Sequence, residues 1–239
     1  MGGVGTAVRR VGFGLSMIFA PLLWLVSSAL GPPHRVSQHL ADPLPHIAAD
    51  PDRYLAFNLV GVLSLALFVP AVLGVAHLLR ERRPILALSG AALVLVGLLS
   101  SAVIHGIQLV QHQMIDVAAD REQMVALLQR VEGGMALKVI LAGLLVGLFF
   151  GWVILSTALL VTRVVPTAIP VLILASLMVL FVKPDLEIVS RLLFLIGLGW
   201  LGFLVTGTRD DDRMSAEPTV GPRDRHNEAA IDSSPARVE

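Results

Sequence analysis

The chain has 239 residues, of which 55% are hydrophobic and 15% are charged, and its formal net charge is zero. Soluble domains have roughly 45–50% apolar and 25% charged residues, so this composition indicates a polytopic membrane protein. The zero net charge gives no reason to expect nucleic acid as a partner, and the absence of cysteine excludes disulfides, iron-sulfur clusters and thiolate zinc sites.

The first apolar stretch runs from Val11 to Leu30 and is interrupted by Pro21. Twenty residues are enough to cross a bilayer. Arg9 and Arg10 before it, and the small residues Ser27–Ala29 at its end, also resemble a cleaved signal peptide. We favour an uncleaved first helix, because the apolar run is longer than the core of an ordinary signal peptide.

The next two helices are predicted to form an antiparallel hairpin. Residues 31–53 contain too many prolines and histidines to lie in hydrocarbon and are predicted to be a loop. The second helix is predicted over Tyr54–Leu79, with a kink at Pro70. The short turn Arg80–Pro84 leads into the third helix, Ile85–Met114, which must then lie beside the second.

The rest of the chain continues the pattern of long apolar runs. Residues 116–132 are too polar to span and carry apolar residues at helical spacing, which indicates a short amphipathic helix on the outer membrane surface. The remaining spans are predicted over Met135–Val161, Val165–Val182 and Leu186–Val205. The sequence thus predicts an all-α bundle of six transmembrane helices over residues 11–207, after a cytoplasmic segment 1–10 and before a disordered cytoplasmic tail 208–239.

The distribution of arginine predicts the orientation. An even number of spans places both termini on one side, and that side holds Arg9 and Arg10 and the three arginines of the hairpin Arg80–Pro84. Dense positive charge next to a span resists translocation, so this side is predicted to be cytoplasmic in a bacterial inner membrane.

Small residues predict where helices pack closely. Gly143, Gly147 and Gly151 recur every four residues along the fourth helix, and Gly97 and Ser101 do so on the third. Such stripes let helix backbones approach within the bundle, against a partner protein or in a homo-oligomer.

A polar set on the outer side forms the candidate site. His105, Gln108 and His112 share one face of the third helix, and Lys138 and Arg191 lie near the outer ends of the fourth and sixth helices. Three further histidines fall in the outer loop: His34, His39 and His46. Counting from Ile85 puts His105 roughly 30 Å along its helix, at the membrane boundary, where a histidine needs no ligand.

The spacing of the histidines does not favour a metal site. A zinc pair on a helix prefers positions four apart, whereas His105 and His112 are seven apart. Bis-histidine haem needs a facing histidine at similar depth, and His77 falls at the opposite surface. No cofactor is therefore predicted, with haem kept as an alternative.

One segment resembles a known group of proteins. The run Asp50–Tyr54, the apolar helix through Pro70–Gly74 and the segment Leu78–Pro84 are similar to uncharacterised multi-pass membrane proteins of actinobacteria. This resemblance implies a six-helix inner-membrane protein and carries no catalytic residue.

Three functions remain open at this stage. The leading hypothesis is a non-enzymatic accessory or interaction subunit. The second is an outward-facing protein that binds or transports a small ligand through His105, Gln108, His112, Lys138 and Arg191. The third is a haem or metal protein.

Overall fold

The computed structural model describes residues 3–32, 40, 44–116 and 121–207, and every regular element in these ranges is a helix. The predicted tail, residues 208–239, lies outside the described residues. Up to Thr206 the described chain belongs to one compact unit. Its α-helices are α1 Gly3–Leu30, α2 Leu44–Ala49, α3 Pro51–Leu79, α4 Pro84–Asp116, α5 Arg121–Gly133, α6 Met135–Thr162, α7 Ala168–Val182 and α8 Glu187–Gly207.

Five of the described helices are long and apolar enough to cross a membrane, which indicates a membrane-embedded protein. These segments are Val8–Leu30, Pro51–Leu79, Pro84–Met114, Met135–Thr162 and Glu187–Gly207. The remaining predicted span is helical only over α7, which has 15 residues. Its length is roughly 22 Å, less than the roughly 30 Å of the hydrocarbon layer.

The ends of the helices follow from local chemistry. Asp50 accepts a hydrogen bond from the amide of Arg53 at 3.2 Å, and Pro51 occupies the first turn, so α3 begins earlier than Tyr54. Arg163 ends α6 in a left-handed conformation, with φ 49°. Pro166 disfavours a helical conformation at Val165, and α7 begins at Ala168 rather than at the predicted Val165.

Neighbouring long helices contact one another in chain order and form a ring. Contacts join α1 to α3, α3 to α4, α4 to α6 and α6 to α7. The Ser190 hydroxyl donates to the Ser176 carbonyl at 2.8 Å, joining α8 to α7 in antiparallel fashion. Gly202 lies against the backbone of Gly14 and closes the ring from α8 to α1.

Glycines also set a close contact between α4 and α6. A Cβ atom added to Gly147 would lie 2.5 Å from the amide nitrogen of Gly97, and one on Gly151 would lie 2.7 Å from that of Val94. Gly143 lies against the Ser100 hydroxyl in the same way. The glycine stripe of α6 therefore packs inside the bundle, against α4.

The bundle has two ends, which we call terminal and distal. At the terminal end, Arg10 donates to the Val205 carbonyl at 2.9 Å, joining the start of α1 to the end of α8. The hairpin between α3 and α4 lies at the same end, because His77 near the end of α3 packs against Phe13 near the start of α1. Arg82 joins the hairpin to the end of α6 through the Thr162 carbonyl at 2.9 Å. The distal end holds the last residues of α1, α4 and α7 and the first residues of α3, α6 and α8.

A small apolar cluster closes part of the distal end. Leu44 and Ile47 of α2, Tyr54 of α3 and Leu128 of α5 are buried together. The segment predicted as a surface helix is thus helical over Arg121–Gly133, with one apolar side packed against this cluster. The short helix α2 was not predicted, because the prolines around it indicated a loop.

Candidate functional site

A polar cleft opens between the distal ends of α1, α3 and α8. Its volume is about 490 Å³, and Ser28 of α1 forms part of its wall. Its charged or titratable lining residues are His46, Asp50, Arg53, Tyr54, Asp185 and Glu187. We call this space the distal cleft.

The distal cleft carries an excess of negative charge. Three carboxylates line it, from Asp50, Asp185 and Glu187, against the guanidinium of Arg53 and that of Arg191, which pairs with Glu187. Arg53 donates to the carbonyls of Leu30 at 3.0 Å and Ala29 at 3.1 Å, so it satisfies the last turn of α1. The remaining field favours a positively charged group in the cleft.

A largely buried ion pair lies at the inner wall of the distal cleft. Arg191 and Glu187, one turn apart on α8, form a salt bridge, and their side chains are only 14% and 16% exposed. Arg191 also donates to the Trp24 carbonyl at 2.9 Å, and its guanidinium lies 4.6 Å from the centre of the Trp24 ring. Its Nε atom is buried and has no hydrogen-bond partner in the described part of the chain.

A second cavity occupies the middle of the ring, and we call it the central cavity. Its volume is about 270 Å³, and all six long helices of the ring contribute to its lining. Trp24, Phe68, Trp152 and Phe194 form one wall through edge and tilted ring contacts, with Phe194 at the centre of the group. The lining is apolar apart from Ser101 and the two indole nitrogens.

A chain of hydrogen bonds fixes α3 against α4 below the distal surface. The Tyr54 hydroxyl donates to Gln111 Oε1 at 3.0 Å, and Gln111 Nε2 donates to the Leu40 carbonyl at 2.7 Å. Deeper in the bundle, Asn58 Oδ1 lies 3.1 Å from His105 Nδ1. These side chains satisfy one another where water is scarce, as buried polar groups must.

The structure places His105 deeper than the sequence estimate did. The helix α4 continues to Asp116, roughly 16 Å beyond His105, and Asn58 opposite lies roughly 10 Å inside the start of α3. A Cβ atom on Gly61 would lie 2.5 Å from the His105 ring, so the imidazole is packed directly against α3. Counting from Ile85 gave the position of His105 along its helix, but it could not show that the imidazole packs against α3.

The predicted site residues do not form one group. Arg191 joins the ion pair at the cleft, whereas Lys138 is exposed and His105 bonds to Asn58. Gln108 and His112 are partly buried on α4, and His112 Nδ1 has no hydrogen-bond partner among the described residues. Ser101 lines the central cavity, while His34 and His39 lie outside the described residues.

Two important residues were missed by sequence reasoning. Asn58 gave a signal, since it is the one amide side chain in the otherwise apolar α3, but its partner is on another helix. Nothing in the sequence indicated that Trp24 contacts Arg191, because a tryptophan in an apolar run also suits a lipid-facing position.

The described residues contain no group of three or more histidine, aspartate or glutamate side chains placed to hold a metal ion. No known protein family matches the chain, and neither curated proteins nor solved structures show significant similarity to it.

Proposed function

We propose that this chain is a six-span protein of the bacterial inner membrane that binds a small ligand from the outer side through the distal cleft. The observation that carries the proposal is the cleft itself, about 490 Å³ in volume and lined by Glu187, whose partner Arg191 is largely buried. Ionisable side chains inside a membrane bundle are costly and generally serve a ligand or ion. Here they lie beside a space large enough to hold one.

Six crossings are supported by the contact between the two ends of the bundle. Arg10 near the start of α1 bonds to Val205 near the end of α8, so an even number of helices must cross between them. The helix α7 supplies the sixth crossing, because it runs antiparallel to α8 through the Ser176–Ser190 bond. The turn Pro184–Leu186 extends α7 at its distal end and offsets part of its shortness.

Cytoplasmic termini are supported by the arginines gathered at the terminal end. The hairpin residues Arg80, Arg82 and Arg83 lie at the same end as Arg10 and Arg163. Concentrated positive charge of this kind is retained on the cytoplasmic side. The distal cleft then faces outward, and α5 covers the outer end of the bundle through Leu128.

The other two hypotheses remain predictions. An accessory subunit would need a contact surface other than the glycine stripe, because Gly143, Gly147 and Gly151 already pack against α4. The resemblance to actinobacterial membrane proteins favours neither the accessory subunit nor the haem or metal protein. A Soret band in the purified protein would establish the haem alternative directly.

The absence of cysteine makes the binding proposal directly testable. A single Ser28→Cys substitution places a thiol in the wall of the distal cleft. In intact cells, a membrane-impermeant maleimide is expected to label Ser28→Cys. The small-molecule fraction of a bacterial extract is expected to slow this labelling in purified protein.

Two matched variants serve as controls. Glu81→Cys, in the exposed hairpin at the terminal end, should react only after the cells are permeabilised. Ala126→Cys, exposed on α5 and outside the cleft, should react in intact cells at a rate that the extract does not change. Labelling of Glu81→Cys in intact cells would reverse the orientation, and equal slowing at Ala126→Cys and Ser28→Cys would remove the binding proposal.

A further inference from the structure

The central cavity has the size and lining of a site for one bulky apolar group. It encloses about 270 Å³, and Ser101 carries the one hydroxyl among its lining residues. An apolar cavity of roughly 150 Å³ is enough to take up benzene. Lining atoms that face a void lose dispersion contacts that a bound group would restore. A phenyl or branched aliphatic group therefore fits this space.

Arg191 supplies anion-binding donors beside Trp24, a residue that lines the central cavity. Its Nη1 donates to Trp24 and its Nη2 to Glu187, whereas its Nε has no partner in the described ranges. A guanidinium presents its donors in a plane that suits a carboxylate with two oxygens. Because Trp24 lines the central cavity, a ligand carboxylate on Arg191 would leave the attached apolar group beside that cavity.

The other side of the ion pair favours a positive charge. Glu187 lines the distal cleft together with Asp50 and Asp185, and the cleft has an excess of carboxylates over guanidinium groups. Since Arg191 and Glu187 are in direct contact, a ligand that engages both must carry opposite charges close together. An ammonium and a carboxylate on one carbon atom meet this condition.

The geometry points to a free α-amino acid with a large apolar side chain as the ligand. Its carboxylate binds Arg191, its ammonium binds Glu187, and its side chain enters the central cavity. In the bound state, ion pairs from the ligand to Arg191 and to Glu187 replace the direct ion pair between these two residues. The ligand then spans the distal cleft and the central cavity, which form one binding site. A zwitterionic phospholipid carries similar charges, so phosphatidylethanolamine is included in the test as the competing ligand. This inference rests on the proposed binding function of the distal cleft.

Intrinsic fluorescence can test this inference in lipid nanodiscs. The chain has three tryptophans, and Trp24 and Trp152 line the central cavity. In a Trp200→Phe background only these two remain. L-phenylalanine or L-leucine is expected to change their emission saturably. 3-Phenylpropionate lacks the ammonium, phenethylamine lacks the carboxylate and glycine lacks the apolar side chain. Each should therefore bind at least about tenfold more weakly than L-phenylalanine.

A matched pair of variants tests where the side chain binds. Ser101→Phe fills the central cavity and should weaken L-phenylalanine binding at least about tenfold, since the space it needs is taken. Leu99→Phe lies two residues away with a side chain that is 69% exposed, and it should leave binding unchanged. If Ser101→Phe does not fold, Leu144→Phe fills the same cavity from α6.

The outcomes separate this inference from the proposed function. Equal binding of 3-phenylpropionate or phenethylamine would overturn the zwitterion, and equal effects of Ser101→Phe and Leu99→Phe would overturn the location. If neither amino acid binds, or if phosphatidylethanolamine added to phosphatidylglycerol nanodiscs gives the saturable change instead, the amino acid is the wrong ligand. The proposed function would still stand if the extract slowed the labelling of Ser28→Cys. If Ser28→Cys were not labelled from outside, both the proposed function and this inference would be wrong.

Discussion

The substitution Gly147→Ala tests the close packing of α4 against α6. The added Cβ atom would lie 2.5 Å from the Gly97 nitrogen and 2.6 Å from the Leu93 carbonyl oxygen, whereas ordinary contacts are 3.4–4 Å. Both neighbours are backbone atoms, so the two helices must separate by roughly 1 Å. Overpacking of this kind costs about 1–3 kcal/mol, and the better helix propensity of alanine recovers up to about 1 kcal/mol.

We therefore expect Gly147→Ala to lower the free energy of unfolding by about 1–2 kcal/mol, which is a factor of about 5–30 in the equilibrium constant. The measurement is reversible unfolding in mixed micelles, followed by circular dichroism. Gly106→Ala on α4 is the control, because its Cβ atom would meet nothing within 4 Å. It should be neutral or stabilising by up to about 1 kcal/mol. Equal destabilisation by both substitutions would refute the packing argument.

Two further predictions concern buried polar contacts and use the same unfolding assay. Tyr54→Phe leaves Gln111 Oε1 without its donor in a buried position and should cost about 1–3 kcal/mol, and an unchanged free energy of unfolding would show that this bond does not stabilise the fold. Glu187→Gln removes the charge that balances Arg191 and should cost about 3 kcal/mol, whereas Lys138→Gln on the exposed side of α6 should change stability by less than about 0.5 kcal/mol. Equal effects of Glu187→Gln and Lys138→Gln would mean that the ion pair is not buried in the membrane-embedded protein.

The helices could largely be predicted from the sequence, because long apolar runs and proline positions are local signals. The predicted helix Ile85–Met114 is Pro84–Asp116 in the structure, and Met135–Val161 is Met135–Thr162. The fifth span was predicted too long, since the run from Val165 is apolar but its first residues do not join the helix. Hydropathy shows that this segment is apolar, but it does not show where the turn ends and the helix begins.

The candidate site could be predicted only in part, because it depends on how each helix is rotated about its axis. Arg191 was singled out because it lies near the outer end of an apolar helix, and its partner Glu187 lies one turn before it on the same helix. Its contact with Trp24 joins α8 to α1 across 167 residues of sequence and left no local trace. Asn58 and His105 each stood out as polar residues in a long helix, but their sequence positions did not show that they face each other.

The central claim is that one ligand engages Arg191 and Glu187 and enters the central cavity. This requires the ion pair to lie between the distal cleft, which Glu187 lines, and the central cavity, which Trp24 lines beside Arg191. The most direct test is the rate at which a small, water-soluble methanethiosulfonate added from the distal side modifies Ser101→Cys. With Arg191 intact, this rate should be far below that of Ser28→Cys, and an Arg191→Ala substitution should raise it at least about tenfold while leaving Ser28→Cys unchanged. If Ser101→Cys reacts at the same rate with and without Arg191, the two cavities are not divided by this ion pair.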